Sequence, residues 1–229
     1  MQKLLFYSLL LLLPGLVKAQ GEAELVNKVR AKLNKVNDYQ AKGTMKIDVS
    51  FINAAPSEVS VYYKKPNKFM VKKSGGISLL PKGGVSVNIN SLLLDENYTV
   101  VPAGTASIKG TSTKVVKLLP ANETGDVVLT TLYIDEKNLV IRKTSVTTRE
   151  SGTYEMELDY GRFTSWGLPD KVVFSFNTKD YKLPKGITFE YEKGERKKDP
   201  AVKNTKGTVS ISYSSYTINK GVDDQVFAK

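Results

Sequence analysis

The chain has 229 residues, with 34 Lys and Arg, 23 Asp and Glu, no His and no Cys, and its net charge is +11. Without Cys it can form no disulfide, thiolate nucleophile or cysteine-ligated zinc site. Without His it lacks the imidazole of the Ser-His-Asp and Cys-His relays and of most metal sites. Its carboxylates are scattered singly along polar strand positions, and no phosphate-binding glycine loop of the P-loop type occurs. We therefore expect no enzyme, no catalytic residue, no metal and no cofactor.

Residues 1–19 have the pattern of a cleavable secretory signal peptide. A basic start at Lys3 precedes an apolar run over 4–13, and Val17-Lys18-Ala19 forms a cleavage sequence before Gln20. The apolar run is far shorter than the ~20 residues that span a bilayer. We predict a signal peptide over 1–19 and a single exported domain over 20–229.

The spacing of apolar residues predicts one helix followed by many strands. The helix is expected over 22–37, and its apolar positions recur at helical spacing: Leu25, Val26, Val29, Leu33 and Val36. From residue 39 the period changes to two. The predicted strands are 39–51, 59–63, 69–71, 85–89, 98–101, 114–119, 126–134, 139–148, 153–160, 171–176, 186–191 and 208–217.

This order of elements predicts an antiparallel sheet, because strands and helices do not alternate. A sheet of this size curls or closes instead of staying flat. Its apolar face is either a packed core or the lining of a cavity, and the alternation alone does not distinguish the two. Residues 196–206, charged and containing Pro200, are expected to form an exposed loop.

Two further segments are candidates for function. Ile77, Leu79 and Leu80 lie between glycine pairs in 74–84, which is typical either of a lid over an apolar opening or of a loop folded onto the core. Basic residues cluster around one turn at Lys64, Lys65, Lys68, Lys72 and Lys73, and again at 196–198. Such clusters are either solvated strand surface or a site for anionic lipid headgroups or an acidic protein. We expect no nucleic-acid partner. The pair Asp223-Asp224 is a weak candidate for a cation site.

Four segments together resemble one family. They are 33–41 (LNKVNDYQA), 63–69 (YKKPNKF), 152–160 with LPDK at 168–171, and 218–227 (INKGVDDQVF). In this order they resemble the LolA-like superfamily of periplasmic lipoprotein carriers and outer-membrane lipoprotein-sorting proteins. Lys65 stands where that family has an arginine, and the two side chains are not equivalent, since Lys lacks the planar fork of Arg.

The resemblance implies a mainly β (α+β) fold: a large curved antiparallel sheet that forms an incomplete barrel, closed by the N-terminal helix and loops. It also implies a monomeric periplasmic carrier that holds acyl chains of a lipidated protein or lipid, taken from an inner-membrane donor and passed to an outer-membrane acceptor. Candidate ligand-binding residues are Met45, Ile47, Val49, Phe51, Val59, Val61, Lys65, Phe69, Val71, Tyr154, Met156, Leu158, Phe174 and Phe176. Two alternatives stay open: an envelope-stress regulatory module of the same fold, and a scaffold protein with a packed interior.

Overall fold

The computed structural model describes residues 14–49, 55–73, 93, 97–122, 125–150, 152–177 and 206–228. Helix α1 spans Pro14–Leu33. The described strands are β1 Asp38–Asp48, β2 Ser57–Lys64, β3 Lys68–Lys73, β4 Tyr98–Ile108, β5 Thr111–Pro120, β6 Val127–Asp135, β7 Val140–Thr148, β8 Thr153–Asp159, β9 Lys171–Asn177 and β10 Lys206–Ile218. Short 3-10 turns occupy Thr164–Trp166 and Asp224–Phe227. No helix among these residues is both long and apolar enough to cross a membrane.

All ten strands form one antiparallel sheet. Their order is β3-β2-β1-β10-β9-β8-β7-β6-β5-β4, so each strand pairs with its neighbour in sequence except where β1 pairs with β10. Within the described ranges β3 and β4 are the two edges and do not pair with each other, so the sheet is not closed. The predicted fold class is confirmed: a mainly β, antiparallel, incomplete barrel with an N-terminal helix.

The close approach of β1 and β10 depends on a glycine. The register shifts between Lys42 and Gly43, where β10 carries a bulge at Ser214. A Cβ atom on Gly43 would lie 2.5 Å from the carbonyl oxygen of Ser212 on β10, and real Cβ atoms do not come this close to backbone. The glycine therefore permits the contact that joins the first strand to the tenth.

The helix and one face of the sheet share a single hydrophobic core. In β1 the buried positions Ala41 and Met45 alternate with the exposed Lys42 and Thr44. We call the face that carries Ala41 and Met45 the inner face and the opposite one the outer face. The helix residues Leu25, Val26, Val29 and Leu33, and Val36 just after the helix, are buried in the same cluster as inner-face residues of the sheet. Alternation with period two thus produced one apolar face, as the sequence predicted.

The element bounds differ from the predicted ones in informative places. Helix α1 begins earlier than predicted, with Pro14 in the first turn, where its fixed φ suits a helix. It ends at Leu33, since the next residues form tight turns closed by hydrogen bonds such as Val36 N to the carbonyl of Leu33 (3.1 Å). Strand β4 runs on to Ile108 through a bulge at Gly104, whose φ is +85°, although its second half is largely exposed. The predicted strands 85–89 and 186–191 lie outside the described residues, as does the predicted loop 196–206 except Lys206, which begins β10.

Candidate functional site

Most of the predicted ligand-binding residues meet on the inner face. Buried in the common core are Met45, Val49, Val59, Val61, Val71, Tyr154, Met156, Leu158, Phe174 and Phe176, and Ile47 and Phe69 are partly buried against it. Two groups that are far apart in sequence thus contribute to one apolar surface, because β10 pairs with β1 on one side and with β9 on the other. Phe51 and the predicted lid residues Ile77, Leu79 and Leu80 lie outside the described residues.

Helix α1 covers part of this apolar surface. Val26 is fully buried and Val29 is 1% exposed, so the helix packs directly against the inner face. The flank of the helix is held by polar contacts. The guanidinium of Arg30 donates a hydrogen bond to the hydroxyl of Tyr98 on β4, and Lys32 Nζ donates to the carbonyl of Asn138 (2.6 Å). No role was predicted for Arg30 or Lys32, because the sequence shows only that they lie on the basic side of the helix.

Lys65 lies at the end of the helix, apart from the inner-face residues. Its Nζ donates to the carbonyl of Asn34 (2.6 Å) and to Asn37 Oδ1 (3.2 Å), and its backbone N–H donates to the carbonyl of Asn37 (2.8 Å). A cation is favourable at a helix C-terminus, where carbonyls lack helical partners. Lys65 thus fastens the turn between β2 and β3 to the end of α1.

The C-terminal segment joins the same place. Asn219 Oδ1 accepts a hydrogen bond from the backbone N–H of Asn37 (2.7 Å), and its Nδ2 donates to the carbonyl of Lys35 (2.8 Å). The backbone N–H of Gly221 donates to Asp38 Oδ1 (3.0 Å). We call the contact of residues 34–38, 64–68 and 219–224 the junction. Three of the four segments that carry the family resemblance meet there.

The basic cluster predicted at the turn is partly neutralised in the junction. Lys64 and Lys68 both form ion pairs with Asp224 Oδ1, at 3.0 and 2.8 Å. Their hydrogen bonds hold the pKa of Asp224 below its ordinary value. The neighbouring Asp223 accepts a hydrogen bond from the backbone N–H of Gln225 (2.9 Å) and so caps the following 3-10 turn. Both carboxylates thus have partners within the protein.

Aromatic residues fill the core beside the junction. Tyr39 packs against Tyr63 and Tyr216, with ring centroids 5.4 and 5.3 Å apart, and Phe163 lies 4.7 Å from Tyr216. Burial raises the pKa of Tyr39 and Tyr216 well above the usual value, so both phenols stay neutral. The hydroxyl of Tyr216 donates to the carbonyl of Pro169 (2.9 Å). These contacts close one end of the apolar surface.

The most buried carboxylate belongs to an ion pair. Asp135 is 3% exposed and accepts hydrogen bonds from Arg142 (2.8 and 3.1 Å) and from Asn138 (3.0 and 2.8 Å). Burial alone would raise the pKa of Asp135, but these hydrogen bonds hold it below the ordinary value. The carboxylate is fully engaged and has a structural role. Among the described residues no three His, Cys, Asp or Glu side chains gather as metal ligands would.

Comparisons with known proteins identify the fold. No family model matches the sequence, and no curated protein matches it. The structure is similar to an outer membrane lipoprotein-sorting protein domain from Vibrio parahaemolyticus, with 10% identity, TM-score 0.59, and 92% of this chain and 97% of that one covered. It is similar to a DUF1329 family protein from Desulfovibrio piger (10% identity, TM-score 0.55, coverage 91% and 96%). It is also similar to a LolA superfamily protein from Nitrosomonas europaea (12%, 0.53, 92% and 97%). The class defined by these likenesses is a LolA-like fold, as the sequence motifs predicted.

Proposed function

We propose that the protein is a periplasmic carrier that binds the acyl chains of a lipoprotein or lipid on the inner face and transfers them towards the outer membrane. The observation that carries the proposal is the inner face itself. Its apolar side chains form one continuous cluster across the sheet, and within the described residues a single helix covers them. A packed domain buries such a surface permanently, whereas an open sheet under one helix can exchange the helix for a ligand.

The energetics of that exchange suit a reversible carrier. Burying an acyl chain of about 16 carbons is worth roughly 13 kcal/mol at ~0.8 kcal/mol per methylene, which alone would bind almost irreversibly. The four buried apolar side chains of α1 contribute about 1.5–3 kcal/mol each, or roughly 6–12 kcal/mol in all. Displacing the helix therefore offsets a large part of the gain from burying one chain. Such a carrier can both take up and release its cargo.

Three further observations support the proposal. The neighbour from Vibrio parahaemolyticus is described as a lipoprotein-sorting domain, and that from Nitrosomonas europaea as a LolA superfamily protein. The pattern of residues 1–19 would direct the chain out of the cytoplasm. The one buried carboxylate among the described residues, Asp135, is held by Arg142 and Asn138 and so is not free to act on a ligand. We extend the proposal to a monomer that receives lipidated cargo from an inner-membrane donor and passes it to an outer-membrane acceptor.

Native mass spectrometry of protein purified from its own cell envelope tests the proposal. We expect a population whose mass exceeds that of the chain by one or more lipid or lipopeptide ligands, which are released on denaturation. A chain that is always empty, and that binds no added fluorescent fatty-acyl probe, would contradict the carrier and favour a scaffold with a packed interior.

Cross-linking the helix tests the route by which the ligand enters. The protein has no cysteine, so Arg30→Cys and Tyr98→Cys can be joined by a short bismaleimide, which ties α1 to β4. Cross-linking should abolish binding of the acyl probe, and the same double variant before cross-linking should retain it. The control is a cross-link within the sheet, between Lys117→Cys and Thr131→Cys, which are cross-strand partners on β5 and β6. If both cross-links affect binding equally, the helix is not the cover.

A further inference from the structure

Four lysines from three different strands lie together on the outer face of the sheet. Lys72 of β3 pairs with Ser60 of β2, and Ser60 pairs with Lys42 of β1. Paired residues share a face, so Lys72 and Lys42 stand in one cross-strand row. We call Lys42, Lys46, Lys72 and Lys171 the lysine face, and all four side chains are exposed.

The other two members fall beside this row. Lys171 of β9 pairs with Ser212 of β10, which pairs with Thr44 of β1. Thr44 lies between Lys42 and Lys46 on the outer side of the same strand. The lysine face thus extends across five adjacent strands, and it exists only because β1 pairs with β10.

The charges of this face are left largely uncompensated. Among the described residues, no carboxylate lies within ion-pairing distance of Lys42, Lys46 or Lys171. The ion pairs that the described residues form involve other lysines and arginines. Lys72 Nζ lies 5.9 Å from the ring centroid of Tyr62 and likewise has no such partner there.

The outer face of the neighbouring strand β8 has the opposite arrangement. Its carboxylates are paired, with Glu155 bound to Lys143 and both Glu157 and Asp159 bound to Lys109. The outer face also carries Glu58 and Asp48 near the lysine face, so the four lysines exceed these two acids by two. Asp159 stands opposite Lys171 on β8, but its carboxylate is bound to Lys109. The lysine face therefore keeps a local surplus of positive charge.

The spacing of these lysines fits an extended anionic surface better than a single anion. Strands lie about 4.8 Å apart, so Lys42 and Lys72, two strands apart, are separated by roughly 10 Å. Lys42 and Lys46 are about 13 Å apart along β1, at ~3.4 Å per residue. Lys72 and Lys171 lie four strands apart, which is roughly 19 Å, so no single phosphate could contact the whole lysine face. A plane of many headgroups, in contrast, meets each lysine separately.

The composition of the face distinguishes between kinds of partner. Protein interfaces are enriched in Arg and aromatic residues and depleted in Lys, and nucleic-acid sites rely on Arg forks and stacked aromatic rings. The five strands of the lysine face contain no Arg, and Tyr62 is the one aromatic residue on their outer side within the described ranges. Their outer side carries Lys, Ser and Thr instead. An anionic membrane attracts lysine by charge alone and needs no fork or ring.

From this arrangement we infer that the lysine face docks the protein on a bilayer rich in anionic phospholipid. The inference goes beyond the proposed carrier function, since it concerns the outer face and does not require an acyl chain on the inner one. Docking leaves the helix side of the sheet free, so the two faces act independently.

Cosedimentation with vesicles of phosphatidylcholine, with and without phosphatidylglycerol, tests the inference. The variant Lys42→Gln/Lys72→Gln/Lys171→Gln is compared with Lys28→Gln/Lys137→Gln/Lys220→Gln, which removes the same charge from exposed positions elsewhere. We expect the wild type to bind only the phosphatidylglycerol vesicles, and more weakly as salt is added. Each lysine near the surface is worth about a fivefold change, so the lysine-face variant should bind on the order of a hundredfold more weakly. The control variant should lose no more than a few-fold.

Several results would overturn the inference. An equal loss in the two variants would mean that net charge alone attracts the protein. Equal binding to vesicles without phosphatidylglycerol, or binding to DNA or an acidic polypeptide in place of vesicles, would exclude an anionic bilayer as the partner. Circular dichroism confirms that both variants are folded. If the protein binds vesicles but no acyl probe, the proposed carrier function is refuted, whereas docking through the lysine face is still supported.

Discussion

Shortening one buried side chain of the helix should make the protein bind acyl chains more tightly. Val29 is 1% exposed and belongs to the core between α1 and the inner face. The change Val29→Ala removes two methyl groups, worth about 0.8 kcal/mol each, and leaves a small cavity. The packing of α1 against the inner face is therefore weakened by about 2 kcal/mol. If the ligand binds after the helix lifts, the apparent affinity contains the cost of lifting. Lowering that cost by about 2 kcal/mol raises the affinity by up to roughly 25-fold.

A matched substitution on the sheet separates this effect from simple destabilisation. Val61 is fully buried in the same core but lies on β2, in the surface that the ligand would contact. The change Val61→Ala loses a similar transfer free energy, and it also removes contacts with the ligand. Its affinity should therefore stay unchanged or fall. Titration with a fluorescent fatty-acyl probe measures the affinity of each variant, and urea unfolding confirms that both lose stability to a similar extent.

The result that would refute the reasoning is specific. If Val29→Ala binds the probe no more tightly than the wild type while its stability has fallen by about 2 kcal/mol, the helix does not compete with the ligand. The inner face would then be a permanent core.

Three further predictions concern the parts of the fold that hold the site. Gly43→Ala forces a methyl group against the carbonyl of Ser212 on β10 and should cost about 3 kcal/mol of stability, which lowers the Tm by roughly 6–12 °C. The control Gly21→Ala, where the added methyl group has open space, should shift the Tm by less than about 2 °C. Equal Tm values for the two variants would contradict the role of Gly43 in the contact between β1 and β10. Asp135→Asn leaves a half-buried guanidinium unpaired and should cost about 3 kcal/mol near neutral pH in urea unfolding. Because the pKa of Asp135 is lower in the folded state than its unfolded value of about 3.9, the carboxylate stabilises the protein above that value, and this stabilisation is lost as pH falls through the folded pKa. The difference in free energy of unfolding between wild type and Asp135→Asn should therefore become smaller in acid. A difference that does not change with pH would contradict this role of Asp135. Lys65→Ala removes the contacts to the helix end and should destabilise the protein by about 1 kcal/mol, whereas Lys65→Arg should not; identical thermal unfolding of the two would assign Lys65 no role in the junction.

The sequence was sufficient to predict what depends on local pattern. Alternation marked which residues of β1 face inward, and the position of Met45 in the core confirms that reading. Helical spacing marked Val26 and Val29 as the buried stripe of α1. Residues 102–108 of β4 escaped prediction because they are mostly small and include Pro102 and Gly104, so no alternation of apolar and polar residues marks them. This part of the strand is formed by its pairing with β5.

What could not be predicted depends on pairings between distant residues. Lys65 was grouped with ligand-binding residues, yet the structure places it at the end of α1, where Asn34 and Asn37 receive its hydrogen bonds. Lys64 and Lys68 appeared as free charge, because Asp224 is about 160 residues away in the chain. Neither set of contacts leaves a periodic pattern in the sequence, because both form only when the distant segments of the junction come together in the fold.

The pairing of β1 with β10 also determines when the protein can fold. Strands β1–β3 and β4–β9 form two separate runs of sequential neighbours. Among the described strands it is β10 that pairs with both runs, at Tyr39 with Ile218 and at Lys206 with Asn177. Contacts between residues so far apart in sequence slow folding, because the loop they close must be ordered before any contact is gained. A chain emerging from a ribosome or a translocation channel therefore stays in two unjoined blocks, with its apolar face open, until β10 has emerged. We expect it to depend on holding chaperones throughout that interval.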